Sequence, residues 1–428
     1  MDAKIFFGAI ADDFTGASDL AALLARSGAP VSLRFGLDGL EADGFCNPFE
    51  VIALKIRTAL REGAERDAVE ALRWLKARGA ERFFWKYCST FDSTAKGNIG
   101  PVAEALMAEI GTTQTIYCPA FPQNGRTIYA GHLFVNDILL SDSPMRDHPL
   151  TPMRDSNLMR LLEPQVDGTV DLVPHAIICK GYSAVRDRLR ALAAQRVNHV
   201  VADATEDDHL SIIAGVCQNM PLITGGSAIA APLPALYRKA GHVDFDDQGP
   251  TPPHIDDTPI IISGSCSAMT RKQIAVFRDS HPAFRIDPLA IAQGGDVMAE
   301  ARDWLDRLPL EQPKLIYSSA DPDEVAEVQN VLGRDHARSV TENALANLAQ
   351  YALMKGSRRF IVAGGETSGA VIQHLGITKV DIGPEISPGV PWTFANLEVE
   401  TAAFALKSGN FGGERFFEDA FDALPQTD

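Results

Sequence analysis

Short apolar runs alternate with amphipathic stretches along the first 120 residues. The apolar runs predict strands at residues 4–10, 31–35, 51–55, 82–87 and 115–118. Apolar residues at helical spacing predict helices near residues 17–24, 67–78 and 101–110, and glycines follow the first two, at Gly28 and Gly79. This alternation predicts an α/β fold with a largely parallel sheet.

Residues 120–165 interrupt the alternation with many polar, Pro and Gly residues. They predict a long insertion or an edge hairpin around residues 129–140, and a long loop in a compact domain is often functional. The alternation then resumes, with predicted strands at 170–173, 199–202 and 222–224 and helices at 183–195 and 207–217.

A stretch rich in Pro and Asp, residues 245–259, has the composition of an interdomain linker. A second α/β pattern follows, with strands at 260–263, 314–318 and 360–363 and helices at 268–279 and 341–355. We therefore expect domains at 1–244 and 260–428, each a mainly parallel sheet flanked by helices. Ligands are expected in the interdomain cleft, at the carboxyl ends of strands.

Composition narrows the choice of partners. The 428-residue chain carries a formal net charge of −17, which disfavours binding to nucleic acid or to an anionic membrane. Its six scattered cysteines predict reduced thiols. The first residues lack the pattern of a signal peptide, and no run of about 18 apolar residues occurs, so we expect a cytoplasmic protein.

The first chemical motif is IADDFTGASDL, where a predicted strand ends at two adjacent carboxylates, Asp12 and Asp13. One of them is enough to cap the following helix. The second could bind a substrate hydroxyl or accept its proton, so both residues are candidate catalytic groups.

The second motif, KYCSTFDSTAKGNIGP, begins at Lys86 and contains Asp92, Ser93 and Lys96 ahead of a predicted helix. Cations, hydroxyls and free amides at a helix start suit a carboxylate or a phosphate. Arg57, which follows another strand, could add positive charge at the same edge. The alternative is a polar capping loop without a ligand.

Two glycine-rich turns, SGSCS at 263–267 and AGGETSGA at 363–370, each follow an apolar strand and precede a helix. Glycine lets the backbone approach an anion closely, as nucleotide phosphates require. Tight strand–helix turns without a ligand are the alternative. The tail segments 383–392 and 406–413 predict further loops, whose amides and Lys407 could contact a nucleotide.

Several common motifs are absent from the sequence. It contains no GxxxxGK[ST], HExxH or GxSxG string, and no GxGxxG follows the first strand. It also shows no Cys/His spacing typical of a metal site, so no cluster of protein ligands is expected to hold a metal directly. His132 and His148 lie in the insertion and are expected at the surface or in hydrogen bonds, with a catalytic role open for either.

The strings ADDFTGASD, DST…GNIG, GGETSGAV and LKSGNFG together resemble the four-carbon acid sugar kinase family over nearly the whole chain. The longer strings KYCSTFDST, PAFPQNGRTIYAGHLFV and HPLTPMRDSNL further resemble the branch of this family that acts on 3-oxo-tetronate, and this resemblance implies 3-oxo-tetronate as the acid. The resemblance implies ATP-dependent transfer to the terminal hydroxyl, O4. D-threonate or D-erythronate kinase activity and a non-catalytic sugar-acid or nucleotide sensor remain alternatives.

The resemblance also implies an N-terminal substrate-binding domain and a C-terminal nucleotide-binding domain. Sugar-acid contacts would come from Asp12, Asp13, Arg57, Lys86, Asp92 and Ser93. ATP contacts would come from Ser265, Gly364, Gly365, Glu366, Thr367 and Gly409. Mg²⁺ would be held mainly by the nucleotide phosphates, with a carboxylate such as Glu366 nearby. The oligomeric state stays open, a homodimer included.

Overall fold

The computed structural model describes residues 4–38, 40, 46–148, 150–397 and 400–424. Residues 1–3 and 425–428, at the ends of the two expected domains, lie outside it, as does Pro149 of the HPLTPMRDSNL string. The chain divides into two compact units, Met1–Pro250 and Thr251–Asp428.

The first unit is an α/β unit that contains the predicted alternation of strands and helices. Its strands are β1 Phe7–Ala11, β2 Val31–Phe35, β3 Phe49–Ala53, β4 Arg82–Lys86, β5 Thr115–Cys118, β6 Arg126–Tyr129, β7 His132–Val135, β8 Ile138–Leu139, β9 Thr169–Val173, β10 Val197–Ala202 and β11 Leu222–Gly225. Its helices are α1 Phe14–Ala25, α2 Arg61–Ala77, α3 Ile99–Ile110, α4 Leu158–Leu162, α5 His175–Ile178, α6 Tyr182–Ala194, α7 Asp207–Cys217 and α8 Leu233–Lys239.

The main strands of this unit pair in the order β2-β3-β1-β4-β11-β5-β10-β9, and every pair is parallel. All five residues of β1, β2 and β3 are buried, as expected for strands covered on both faces. The chain leaves β1 toward β2 on one side and leaves β4 toward β5 on the other. The neighbours β1 and β4 therefore form a topological switch point, where ligands of open α/β sheets bind.

The insertion at 120–165 forms a small separate sheet rather than a hairpin on the edge of the main one. Strands β6, β7 and β8 pair antiparallel in that order. The carboxylate of Asp203, just after β10, accepts hydrogen bonds from the backbone N–H groups of Ala130 (2.7 Å), Gly131 (2.9 Å) and His175 (2.8 Å). One buried acid thus ties the insertion to the end of β10.

The second unit is also α/β, but its sheet is mixed. Its strands are β12 Pro259–Ser263, β13 Ala283–Arg285, β14 Leu315–Tyr317, β15 Arg359–Ala363, β16 Lys379–Ser387, β17 Val390–Asn396 and β18 Thr401–Lys407. Its helices are α9 Ala268–Arg278, α10 Pro288–Ala292, α11 Val297–Asp306, α12 Pro322–Leu332, α13 Arg334–Lys355, α14 Gly365–His374 and α15 Phe416–Asp422.

These strands pair in the order β13-β14-β12-β15-β18-β17-β16. The pairs from β13 to β18 are parallel, and β16, β17 and β18 form an antiparallel meander. The chain leaves β12 toward β13 on one side, whereas β14 is connected to β15 on the other side of β12. The switch point of this sheet therefore lies between β12 and β15.

The meander corrects the loop predicted at 383–392. Gly383 and Pro384 lie inside β16, and Trp392 is fully buried in β17. Register shifts between Ile382 and Glu385 accommodate the Gly–Pro step, because proline cannot donate to a regular ladder. Within the described residues, no helix is both long and apolar enough to cross a membrane.

Candidate functional site

The carboxyl ends of β1 and β4 carry the first two motifs, as their sequence predicted. The backbone N–H of Asp12 donates to the carbonyl of Lys86 at 3.0 Å, which locks the two strand ends together. The N–H groups of Ile56 and Arg57 donate in turn to the carbonyl of Asp12, at 3.1 and 3.2 Å. The polar residues that follow β1, β3 and β4 therefore share one edge of the sheet.

Asp12 is the partner of Arg57. The guanidinium donates through Nε at 2.7 Å and through Nη2 at 2.9 Å to the two oxygens of this carboxylate. Burial raises the pKa of Asp12, and the charge and hydrogen bonds of Arg57 act in the opposite direction. Because both carboxylate oxygens are used in this bidentate pair, Asp12 is suited to fix Arg57 rather than to accept a proton.

Asp13 has a different environment. Its Oδ1 accepts the backbone N–H of Gly16 at 2.8 Å and so caps α1, and the same oxygen lies 3.0 Å from Nη2 of Arg57. Both contacts involve Oδ1, which leaves Oδ2 for a ligand, and the side chain is 31% exposed. The capping interpretation is correct for Asp13, and the cap uses only one of its two carboxylate oxygens.

Lys86 supplies a buried cation beside these acids. Its Nζ donates to the carbonyl of Tyr87 at 2.7 Å. A Cβ built on Gly16 would lie 2.7 Å from Nζ of Lys86 and 2.5 Å from Oδ1 of Asp13. Gly16 therefore keeps open the space between an ammonium and a carboxylate. An ammonium has three protons, so Lys86 can donate further hydrogen bonds to a ligand.

The loop after β4 places one acid near Arg57, while a neighbouring serine bonds to another part of the unit. Oδ2 of Asp92 lies 3.8 Å from Nη1 of Arg57, and Oδ1 accepts the hydroxyl of Thr90 at 2.6 Å. Ser93, predicted to face the sugar acid, is buried and donates to Oε1 of Gln165 at 3.1 Å. Phe91, next to Asp92, has a φ of 51°, an uncommon conformation for a non-glycine residue and one that clusters at functional sites.

Asn98, a polar residue of the second motif, also belongs to this site. Its side-chain amide donates to the carbonyls of Ile56 (2.7 Å) and Ala59 (2.9 Å), and so holds the segment that carries Arg57. The motif marks Asn98 immediately before α3, but its partners lie 42 and 39 residues away in sequence. Only the pairing of β1 with β3 and β4 brings them together.

In the second unit, three strand ends meet at the predicted glycine-rich turns. The N–H of Ser265 donates to the carbonyl of Ala363 at 3.2 Å, and that of Gly364 to the carbonyl of Lys407 at 2.8 Å. A Cβ on Gly364 would lie 3.2 Å from the Ser265 nitrogen, and one on Gly409 would lie 2.8 Å from Oγ of Ser265. The structure thus brings together Ser265, Gly364 and Gly409, which lie far apart in sequence.

The carbonyl of Gly409 fixes the loop that follows β18. It accepts hydrogen bonds from Oγ of Ser267 (2.6 Å), Oγ1 of Thr270 (2.7 Å) and Nζ of Lys407 (2.8 Å). Ser267 and Thr270 were not among the predicted site residues. Their role follows from the position of β18 beside β15, which no local pattern reveals.

The start of α14 supplies the remaining predicted contacts. Gly364 is its N-cap residue, with a φ of 125° and no side-chain cap, and Gly365 is its first helical residue. Thr367 is buried in the first turn, and the carboxylate of Glu366 is exposed, 3.2 Å from Nη1 of Arg338. Uncapped N–H groups at the start of a helix form a ready anion site.

Lys407 is fully buried, and burial lowers its pKa to about 8. In the unfolded chain the pKa is that of free lysine, so the buried ammonium destabilises the fold below pH 8. Between pH 8 and 10.5 the folded protein releases this proton first, and stability should rise. Between pH 8 and 10.5, the free energy of unfolding of the parent should therefore rise by on the order of 3 kcal/mol relative to that of Lys407→Met. Urea unfolding of both proteins at several pH values checks this, and parallel stability curves would contradict it.

Family models match both units. A sugar-binding N-terminal domain matches residues 7–233, and a nucleotide-binding C-terminal domain matches residues 260–417. The fold and the two sites thus define a two-domain protein of the class that binds a sugar in one unit and a nucleotide in the other. The chain belongs to the four-carbon acid sugar kinase family.

Similar proteins cover almost the full length. A 3-oxo-tetronate kinase of Burkholderia multivorans is 47% identical over 97% of both chains, and one of Cupriavidus necator is 46% identical over 97% of this chain and 96% of its own. A solved Haemophilus influenzae structure superimposes with a TM-score of 0.85 at 40% identity, covering 98% of this chain and all of its own. A solved Salmonella typhimurium structure superimposes with a TM-score of 0.87 at 40% identity, covering 97% of this chain and 98% of its own.

Proposed function

We propose that this protein is an ATP-dependent 3-oxo-tetronate kinase that transfers the γ-phosphoryl group to the terminal hydroxyl, O4, of the acid. The observation that carries the proposal is the chemistry of the two switch points. The partly exposed carboxylate of Asp13 lies beside the half-buried Arg57 and the buried Lys86 at the ends of β1 and β4, and three glycine-containing loops meet at the start of α14. Full-length relatives that are 3-oxo-tetronate kinases support the choice of acid.

In this proposal Asp13 is the catalytic base. Its Oδ2 accepts the proton of the O4 hydroxyl while Oδ1 stays on the helix cap and beside Arg57. Asp12 positions Arg57, and Arg57 in turn fixes Asp13 and draws Asp92 toward the site. Phosphoryl transfer depends mostly on such positioning and on charge stabilisation.

The remaining polar groups of the first site bind the acid. Lys86, with protons to spare after its bond to Tyr87, is placed to hold the substrate carboxylate. Asp92 accepts a substrate hydroxyl. Ser93 supports this loop through Gln165 and does not contact the substrate.

The second site holds the nucleotide. Backbone N–H groups of Gly365, Glu366 and Thr367 face the phosphates, and Ser265 and Gly409 close the site from the neighbouring loops. Glu366 is exposed at the first turn of α14, so its carboxylate fits a contact to Mg²⁺, which would neutralise charge on the phosphates. Transfer requires the bound sugar acid and the bound nucleotide to meet.

The substrate assignment is tested with a panel of four-carbon acids. ADP release from ATP and Mg²⁺ is measured with 3-oxo-tetronate, D-threonate and D-erythronate at equal concentrations. We expect the highest kcat/KM with 3-oxo-tetronate. A preference for D-threonate or D-erythronate would support kinase activity but contradict the choice of 3-oxo-tetronate as the substrate. Binding of an acid without turnover of any of the three would favour a non-catalytic sensor.

A further inference from the structure

A cluster of two imidazoles and a thiol lies in the first unit, away from the candidate site. His175, Cys179 and His209 each offer one ligand atom, and these atoms lie within 4.8 Å of one another. The cluster follows the ends of β9 and β10. In the strand order, β11 and β5 separate those strands from β4, which carries Lys86. No step of the proposed phosphoryl transfer uses these residues.

We propose that His175, Cys179 and His209 form a binding site for Zn²⁺ or a divalent metal of similar softness. Two imidazole nitrogens and one thiolate are ligands that zinc prefers, and three protein ligands leave a fourth position for water. No local spacing in the sequence marks this site, because the third ligand lies 30 residues beyond the second, on another helix.

The distances agree with a tetrahedral metal site. With zinc–sulfur and zinc–nitrogen bonds of about 2.3 and 2.05 Å, tetrahedral geometry places sulfur and nitrogen about 3.6 Å apart. Sγ of Cys179 lies 3.4 Å from Nε2 of His175 and 3.8 Å from Nε2 of His209. Both observed separations lie within about 0.2 Å of the expected value, so the thiol and each imidazole are spaced as a tetrahedral metal requires.

The backbone presents the ligands together. His175 begins α5 and Cys179 is its C-cap residue, so the four-residue spacing puts both side chains on one face of the helix. The N–H of His175 donates to Asp203 at 2.8 Å, which fixes the start of this helix. His209 is buried in the first turn of α7, whereas Cys179 is exposed, so the cluster is open to solvent on the thiol side.

Thr205 determines which ring nitrogen of His209 carries the proton. Its N–H donates to Nδ1 of His209 at 3.2 Å, which places the proton of the neutral ring on Nε2, facing Cys179. Metal binding displaces the proton of the Cys179 thiol to solvent and moves the ring proton of His209 from Nε2 to Nδ1. The Nδ1–H group can then donate a hydrogen bond to Oγ1 of Thr205, which lies 3.2 Å away. That exchange removes the acceptor of the Thr205 N–H, so we expect weaker binding than at a closed four-ligand site.

The test uses the full-length protein stripped of metal with a chelator. Equilibrium dialysis should show one Zn²⁺ bound per chain, and Co²⁺ should produce a thiolate-to-cobalt charge-transfer band. Cys179→Ser should abolish the band, weaken Zn²⁺ binding at least about tenfold and remove the rise in Tm that Zn²⁺ gives the parent. Cys266→Ser, at another exposed cysteine, is the matched control and should keep the band.

Absence of stoichiometric Zn²⁺ binding by the parent would overturn the proposal, as would an unchanged cobalt band in Cys179→Ser. His209→Gln, at a buried position, should also abolish the band. The exposed Cys179→Ser variant keeps the test valid should His209→Gln fail to fold. Because the readouts are metal binding and the cobalt spectrum, the outcome is independent of whether the protein phosphorylates a sugar acid.

Discussion

Asp13→Asn is expected to lower kcat for the sugar acid by about 10²–10⁴-fold, the range typical for loss of a general base. The amide oxygen of Asn can still accept the N–H of Gly16, and Asn caps helices as well as Asp does, so α1 should stay intact. The variant loses the negative charge and the proton acceptor at Oδ2 but little of the fold. Steady-state kinetics at saturating ATP measure the effect.

A matched control is available at another helix cap. Asp287 caps α10 by accepting the N–H groups of Leu289 and Ala290, and Asp287→Asn makes the same chemical change outside the candidate site. It should leave kcat within about twofold of the parent, because the exposed cap is kept. If Asp13→Asn retained near-parental kcat with an unchanged Tm, Asp13 could not be the base.

Gly364→Ala is expected to raise the KM for ATP by about 10–100-fold while changing the KM for the sugar acid little. The φ of 125° belongs to a region that only glycine occupies readily, and a non-glycine residue there costs about 1–3 kcal/mol. The added Cβ would also lie 3.0 Å from Oγ1 of Thr367 and 3.2 Å from the Ser265 nitrogen. The turn must therefore shift where it contacts the phosphates.

Gly376→Ala separates backbone strain from contact with the nucleotide. Gly376 follows α14 with a φ of 66°, and a Cβ there would meet nothing within 4 Å. We expect this control to cost some stability and to leave both KM values near those of the parent. Equal increases in the two KM values for Gly364→Ala would show that the turn supports the fold in general and does not serve ATP specifically.

The positions of strands and helices were largely predictable where the hydrophobic pattern is uniform along the whole element. The β2, β5 and α7 ranges match their predictions, because short segments rich in apolar residues and a clear helical period leave little choice. The α2 helix begins at Arg61 rather than at residue 67, since its first turn carries polar residues that contribute no apolar period. The meander of β16, β17 and β18 was missed because Gly383 and Pro384 resemble a loop until their strand partners are known.

Site residues were predictable where a motif marks them locally, and their partners were not. The sequence motifs single out Asp12, Asp13 and Arg57, but only the parallel pairing of β1 with β3 and β4 shows that one guanidinium joins them. Ser93 was also singled out by its polar character, but only the structure shows that its hydroxyl donates a hydrogen bond to Gln165. Long-range pairing, which no local pattern encodes, decided both cases.

The most direct test of the account is to identify the phosphorylated product. Purified protein is incubated with ATP, Mg²⁺ and 3-oxo-tetronate, and the mixture is followed by ³¹P and ¹³C NMR. We expect a new phosphomonoester whose phosphorus couples to the terminal methylene carbon, C4, in amounts equal to the ADP formed. Inorganic phosphate as the only phosphorus product besides ADP, or an ester on another carbon, would contradict it.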